Sequence, residues 1–353
     1  MDGNSSVYMR RCIELALKAE GMTRPNPVVG AVVVWKGRII GEGYHRGAGL
    51  PHAEVNAIES VKNKSLLPES VLYVSLEPCS HHGKTPPCTQ LIISSGIRKV
   101  VAGTTDTSSK VSGNGFRQLR EAGITVETGL LGEECRRINR RFFTFHEAAR
   151  PYIILKWAQS ADGFIDADRP SGSNREAWWI TGMPERVLVH KWRSEEDTIL
   201  VGGETVRNDN PGLDVRHWHG KNPVKVIVSG SGRIDGFRPK NETNGMLIAF
   251  TYNIGLSIPG AEKVILNKDL STASQVVNNL HQRGFQSLFV EGGAKVLSHF
   301  IGTGLWDEAR VFTGKREFCS GVPAPSVAGR KILESGFDES NLEITVNRLN
   351  GFY

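Results

Sequence analysis

His52-Ala-Glu54, Glu77-Pro-Cys79 and Cys88, the last directly after Pro86-Pro87, are the residues of this chain whose types and spacing can do chemistry. One imidazole and two thiolates make three metal ligands. Catalytic zinc typically takes three protein ligands and leaves the fourth tetrahedral position to water, whereas structural sites are usually closed by four. The ligand count therefore favours hydrolysis over scaffolding. Zinc lowers the pKa of its water to about 7, and a carboxylate beside it can carry protons to a leaving group. Glu54 is placed for that role. Neither half of the pattern carries weight alone, because His-x-Glu recurs by accident and two cysteines can be core thiols. Their coincidence at the ends of neighbouring elements carries the reading. His81 and His82 sit on the polar stretch between the cysteines and read as solvent-facing or substrate-side. Cys12, Cys135 and Cys319 read as structural thiols.

The elements that must position these residues follow from periodicity. Tyr8, Cys12, Leu15, Ala16 and Ala19 recur at helical spacing behind Ser5 and Ser6, which predicts an amphipathic helix with a polar cap. Residues 31–35 and 38–43 are apolar runs around Lys36-Gly37, a hairpin pattern. The alternation continues with a helix over 52–61 and strands over 71–76, 99–102 and 124–128. Further helices are expected over 88–94 and 116–122. Helix starts at His52 and Cys79 would turn partial positive charge toward the metal ligands and favour thiolate. Glu133 to His146 is charged and helix-compatible, and Arg150-Pro151 breaks any helix running through, so two domains are expected, 1–146 and 147–353. The second restarts an α/β pattern, with strands at 152–158, 198–201, 224–228, 246–250 and 287–290 and helices at 184–193, 272–283 and 294–301. Residues 313–340 carry glycine, proline and serine with little periodicity and read as a long ordered loop or lid.

With 353 residues, 39% hydrophobic and 23% charged, the chain has ordinary globular composition, and neither disorder nor a fibre is expected. Five cysteines, an odd number, do not suit a secreted disulfide framework, so a cytoplasmic location is expected. The first residues lack the apolar stretch of a signal peptide, and the most apolar window, Val28 to Trp35, is far short of the ~20 residues of a membrane helix. No membrane partner is expected. The net charge of +6 suits nucleic acid or a phosphorylated small molecule.

The order of His-x-Glu and Pro-Cys is that of zinc deaminases, but nucleic-acid and nucleoside deaminases carry two residues between the cysteines where this chain has eight. Asn26-Pro-Val-Val-Gly30, Gly43-Tyr-His45, Pro51-His-Ala-Glu54 and the long cysteine loop Glu77-Pro-Cys-Ser-His-His-Gly-Lys-Thr-Pro-Pro-Cys88 together resemble the bifunctional deaminase-reductase family of riboflavin biosynthesis. The resemblance implies a cytidine-deaminase-like three-layer α/β domain, with His52, Cys79 and Cys88 on zinc, Glu54 as proton shuttle, and Asn26, His45 and Lys84 on a phosphorylated pyrimidine. After the strand at 99–102 the family commonly has Asp-Pro-Asn-Pro, and this chain has Asp106-Thr-Ser-Ser109.

The resemblance continues through Leu155-Lys156, Trp179-Ile-Thr181, Gly202-Gly-Glu-Thr205, Asn208-Asp-Asn-Pro211, Leu213-Asp-Val-Arg216 and Val290-Glu-Gly-Gly293, in the family's order. A glycine pair between strand and helix lets backbone amides approach a phosphate, and the absence of Gly-x-Gly-x-x-Gly speaks against an ordinary Rossmann fold. The family's second domain resembles dihydrofolate reductase. It implies NADPH held by Gln159, Trp179, Thr205, Asp209, Ser229 and Gly293, with Lys156, Arg193, Leu213, Arg216 and Glu291 toward the substrate. Val228 and Ala177 depart from an acidic residue and a serine common at those places. The reaction implied is hydrolytic deamination of 2,5-diamino-6-(5-phosphoribosylamino)pyrimidin-4(3H)-one, followed by NADPH-dependent reduction of the ribosyl group to 5-amino-6-(5-phosphoribitylamino)uracil. A homo-oligomer is compatible with this, and no nucleic-acid partner is expected. The alternative is a nucleic-acid-acting zinc deaminase with an accessory RNA-binding domain; the eight-residue gap and the lack of an aromatic and basic stripe weigh against it.

Overall fold

A computed structural model describes residues 5–80, 86–108, 113–168, 179–232, 234 and 246–348. Lys84, His81, His82 and Ala177 lie outside the described residues. The chain divides into two compact units, Met1–Ala149 and Arg150–Tyr353.

The first unit contains α1 (Ser5–Leu17), β1 (Gly30–Trp35), β2 (Arg38–Tyr44), α2 (Ala53–Ser60), β3 (Val71–Leu76), α3 (Cys88–Ser94), β4 (Lys99–Thr104), α4 (Asn114–Glu121), β5 (Thr125–Thr128), α5 (Gly132–Ile138) and α6 (Arg140–Glu147). Its sheet has the order β2-β1-β3-β4-β5, with β1 antiparallel to β2 and β3 and β3, β4 and β5 parallel. Alternation along β1 divides the core in two. Ala31 and Val33 pack with Ala57, Ile58, Ile92 and Leu119 under α2, α3 and α4. Val32 and Val34 pack with Met9, Cys12 and Cys135 under α1 and α5. The result is the expected three-layer α/β domain. Helix α1 lies so close that a Cβ on Gly30 would come within 2.0 Å of the Cys12 carbonyl oxygen, and only glycine fits there.

The second unit contains β6 (Tyr152–Gln159), β7 (Phe164–Ala167), α7 (Met183–Glu195), β8 (Thr198–Gly202), α8 (Gly203–Asp209), β9 (Val224–Val228), β10 (Leu247–Thr251), β11 (Ala261–Ile265), α9 (Thr272–Gln282), β12 (Ser287–Val290), α10 (Ala294–Gly302), β13 (Glu308–Gly314), β14 (Gly321–Pro323), β15 (Arg330–Gly336) and β16 (Ser340–Val346). Among the described residues, nine strands form one sheet in the order β11-β10-β9-β8-β12-β6-β13-β16-β15. The strands are parallel from β11 through β13, and β16 and β15 close that edge antiparallel. Leu155, Leu200, Leu288 and Val290 face α9 and α10, while Ile154, Ile199, Val201 and Phe289 face α7. Among the described residues no helix is long and apolar enough to cross a membrane.

Four expectations need correction. The segment 313–340 is not a long loop: it holds the end of β13, all of β14 and β15, and the first residue of β16. Strand β15 is exposed along its whole length, so it lacks the buried alternation by which a strand is recognised. The helix expected over 133–146 is broken at Asn139, whose side chain accepts from Val28 N (2.8 Å) and donates to Val28 O (2.9 Å), as a paired strand would. Cys79 opens no helix; the segment from Glu77 to Ser80 after β3 has no regular structure. Cys319 is exposed, not a core thiol, whereas Cys12 and Cys135 are buried.

The ligand-bearing segment is fixed by Glu77. Its buried carboxylate accepts from four backbone N–H groups: Asp106 (3.1 Å) and Gly113 (3.0 Å) on one oxygen, Gly115 (2.9 Å) and Phe116 (3.3 Å) on the other. This ties the end of β3 to the first turn of α4, satisfying donors that a helix start leaves orphaned. Glu77→Gln keeps the shape but points an amide at two donors, so we expect a loss of about 1–3 kcal/mol, read as a lower urea midpoint with zinc saturating. An unchanged midpoint would show that the carboxylate is not what holds α4.

Candidate metal centre and reductase cavity

His52 is the N-cap of α2, and its carbonyl accepts the first helical bond from Asn56 N at 3.1 Å. That anchors the imidazole at a fixed place, with Glu54 in the first turn of the same helix. Cys88 is the first residue of α3, behind Pro87 at the N-cap. Three elements therefore converge. His52 Nδ1 lies 3.3 Å from Cys88 Sγ and 3.5 Å from Cys79 Sγ, and the three donor atoms all lie within 4.8 Å of one another. The Cys88 amide donates to Cys79 Sγ at 3.4 Å, a bond that favours thiolate. Thr89 N donates to the Cys79 carbonyl at 3.2 Å and ties Cys79 to the first turn of α3. One nitrogen and two sulfurs at this separation suit zinc, a borderline-soft ion that takes both ligand types.

The electrostatics are those of groups forced together. The Cys79 thiol is held below its ordinary range, to about 4, by the Cys88 thiol hydrogen bond first and by His52 as well. Cys88 is pushed well up in return, first by its bond to Cys79 and then by burial. Burial pushes Glu54 up to about 7, and the charge on Cys79 adds to it. Glu54 is 3% exposed. A carboxyl poised near neutrality in a buried site can both take and give a proton.

Asn26 and His45 join the same site. His45 Nδ1 lies 3.1 Å from the Pro51 carbonyl, which can only accept, so that nitrogen carries the proton. Nε2 then accepts from the Asn26 amide at 3.1 Å. The His45 ring stands edge-on to His52, with centroids 5.2 Å apart. Burial lowers the His45 pKa, so the neutral ring is favoured. Sequence reasoning missed Asn56, which donates to the carbonyls of Tyr44 (2.9 Å) and Pro51 (3.3 Å) and so ties the His45 loop to α2. Its signal was its place one turn after His52.

In the second unit the expected residues fall into two groups. The first lies at the ends of β6 and β12. Arg193 forks onto Glu291, Nε to Oε1 at 2.8 Å and Nη2 to Oε2 at 2.5 Å, and its remaining nitrogen donates to the Asp214 carbonyl at 3.0 Å. Burial alone would raise the Glu291 pKa, but Arg193 and then Lys156 outweigh it and hold the carboxylate charged. Burial lowers the Lys156 pKa against the pull of Glu291. His190, not singled out in the sequence, accepts from Arg216 N at 3.2 Å. Burial, followed by Arg193 and Arg216, brings His190 down to about 4. Its signal was helical spacing, one turn before Arg193 on α7. Arg216 is half-exposed and meets Asp214 at 2.5 Å.

The second group borders a cavity of about 260 Å³ whose lining includes Gly203, Ser229 and Gly293. Thr205 stands beside it: a Cβ on Gly293, where φ is +77°, would meet Thr205 Oγ1 at 3.3 Å. The remaining expected residues lie elsewhere. Leu213 is buried in the core on the α7 side of the sheet. Gln159 accepts from the Trp157 indole at 2.9 Å. Trp179 is exposed, with the Arg186 guanidinium stacked 3.6 Å from its ring centroid. Asp209 is the last residue of α8 and does not line the cavity.

Two family models match separate parts of the chain. Residues 3–104 match the cytidine and deoxycytidylate deaminase zinc-binding region, and residues 151–314 match the RibD C-terminal domain. The riboflavin biosynthesis protein RibD of Aquifex aeolicus is 38% identical, with 93% of this chain and 92% of that protein covered. The protein of the same name from Escherichia coli is 33% identical, with 86% of each covered. Among solved structures, a diaminohydroxyphosphoribosylaminopyrimidine deaminase/5-amino-6-(5-phosphoribosylamino)uracil reductase from Thermotoga maritima superposes with a TM-score of 0.86 at 38% identity, over 97% of this chain and 98% of that one. The first unit is thus a cytidine-deaminase-like domain with a zinc-binding region, and the second is a dihydrofolate-reductase-like domain that implies a nicotinamide cofactor. The chain belongs to the RibD family of riboflavin biosynthesis, enzymes that join a deaminase and a reductase in one polypeptide.

Proposed function

We propose that this chain deaminates 2,5-diamino-6-(5-phosphoribosylamino)pyrimidin-4(3H)-one and then uses NADPH to reduce the ribosyl group, yielding 5-amino-6-(5-phosphoribitylamino)uracil. The observation that carries the first step is the convergence of His52, Cys79 and Cys88 beside the buried Glu54. Those three side chains would hold zinc, with Nδ1 as the histidine's ligand atom. Bound zinc supplies Lewis acidity that makes water a nucleophile near neutral pH. Glu54 takes a proton from the attacking water and passes it to the departing amino group, so that water and the ring amine become a ring carbonyl and ammonia. Asn26 and His45, locked to each other, orient the pyrimidine; Lys84 is assigned to the phosphosugar by family resemblance.

For the second step, bound NADPH supplies the hydride. Lys156, facing the carboxylate of Glu291, stabilises charge as the opened ribosyl carbon is reduced. Each of the three Arg193 guanidinium nitrogens already donates a hydrogen bond, so its role is to hold Glu291, and the half-exposed Arg216 is left to meet the substrate phosphate. Ser229 and Gly293 line the cofactor cavity with Thr205 beside it, and Leu213 is assigned to the substrate and Gln159, Trp179 and Asp209 to the cofactor by family resemblance. The likeness to the Thermotoga maritima enzyme supports this reading. Thiol ligands that must stay reduced suit a cytoplasmic enzyme.

Glu54→Gln should slow ammonia release by about 10²–10⁴-fold while zinc content by atomic absorption stays that of the parent. A variant that still deaminates at the parent rate would overturn the proton-shuttle role. Removing the metal with dipicolinate should abolish ammonia release yet leave NADPH oxidation by the deaminated intermediate intact, because the three-donor group lies wholly in the first unit. Loss of both activities together would contradict the assignment of zinc to one step.

A further inference from the structure

One arginine of the second unit is held in place without an anion. Arg186 stands near the start of α7, and among the described residues its single hydrogen bond is a long one, from Nη2 to the Thr181 carbonyl at 3.5 Å. Its Nε is buried and has no partner. The adjacent carboxylate is spent elsewhere: Glu185 is buried and accepts from the Ser340 hydroxyl at 2.8 Å. Arginine keeps its charge in proteins, so a half-buried guanidinium with an orphaned donor carries a cost that a bound anion removes.

The surroundings say which anion. Arg186, His190 and Arg193 follow one another at helical spacing and share one face of α7. The 214–216 segment lies along that face: Arg193 donates to the Asp214 carbonyl at 3.0 Å, and Arg216 N donates to His190 Nδ1 at 3.2 Å. Arg186 continues the line one turn before His190. Burial lowers the Arg186 pKa and the charge of Arg216 adds to this, against the pull of Glu185. Two cations so placed repel unless an anion lies between them. A phosphate monoester suits them best, because it carries nearly two charges and each guanidinium can donate two parallel bonds to its oxygens. The Trp179 ring, 3.6 Å from its centroid to the Arg186 guanidinium, covers one face of the fork and leaves its edge for the acceptor. Among the described residues none from α7 or 214–216 lines the cofactor cavity, so the phosphate is the substrate's. Resting on the substrate reading above, we propose that Arg186 is a second phosphate-binding residue of the reductase step, closing with Arg216 on the 5-phosphate and setting the preference for a phosphorylated ribosyl group.

Steady-state NADPH oxidation by the full chain, with the deaminated intermediate and with its dephosphorylated form, tests this. Arg186→Gln keeps a planar group against Trp179 but removes the charge. It should raise the KM for the phosphorylated intermediate roughly tenfold, with a much smaller change in kcat, and cut the preference over the dephosphorylated form by the same factor. Arg186→Lys should recover part of that preference, and Arg186→Gln combined with Arg216→Gln should erase most of it. Equal losses for both substrates would overturn the proposal, as would a raised KM for NADPH with the phosphate preference unmoved, which would leave Arg186 as a support for Trp179 only. If the unaltered chain oxidises NADPH with neither form, the reductase reading itself fails and the subsite falls with it; turnover with a preference that survives Arg186→Gln refutes the subsite alone.

Discussion

Two sulfurs, an imidazole nitrogen and a carboxylate brought together out of water form an arrangement that a polypeptide resists. The shifts in the first unit follow from that crowding: one thiol is driven down, its partner up, and Glu54 is raised by burial. A group of this kind persists only if its supports cost more to break than the group gains by relaxing. A divalent ion relieves the strain directly, since it favours deprotonated ligands. The fold of the first unit is best understood as the set of contacts that keeps this cluster assembled.

Each ligand is held by backbone rather than by loop chance. His52 caps α2, Cys88 opens α3, and Cys79 follows a strand whose end is stitched to α4 through Glu77. Gly115 completes the stitch, because a Cβ there would meet the Pro78 carbonyl oxygen at 2.1 Å. The approach that brings Pro78 and Cys79 into place thus depends on a missing side chain one element away. Such an arrangement gives the positional precision that acid–base chemistry needs, with rigid elements bearing the functional groups.

This division of labour explains what was legible in the sequence. The group of His52, Cys79 and Cys88 with Glu54 beside it could be picked out because metal chemistry restricts residue type and number, and the strands and helices of the first unit because each buries a periodic face. What escaped was long-range. Asn139 breaks a helix to pair with Val28, 111 residues away, and nothing local in a charged helical run announces that. Strand β15 pairs along one side only and buries nothing, so its residues carry no strand pattern. At Cys79, where a helix start was expected, Glu77 supplies its charge to a different helix start, that of α4, instead.

The second unit was harder to read for a related reason. Hydride transfer asks the protein for position and charge, not for a fixed ligand set, so no residue type is compulsory. Arg193 and Glu291 are 98 positions apart and meet only because α7 packs over the end of β12. Read singly, an arginine on a helix and a glutamate after a strand are ordinary surface residues. Folded together, the Arg193 guanidinium keeps the Glu291 carboxylate charged against the cost of burial, and Lys156 shares the field they make. The Arg193, Glu291 and Lys156 cluster is therefore a property of the packed sheet rather than of any motif. Substitutions that loosen α7 should disturb it even where they touch none of these three side chains.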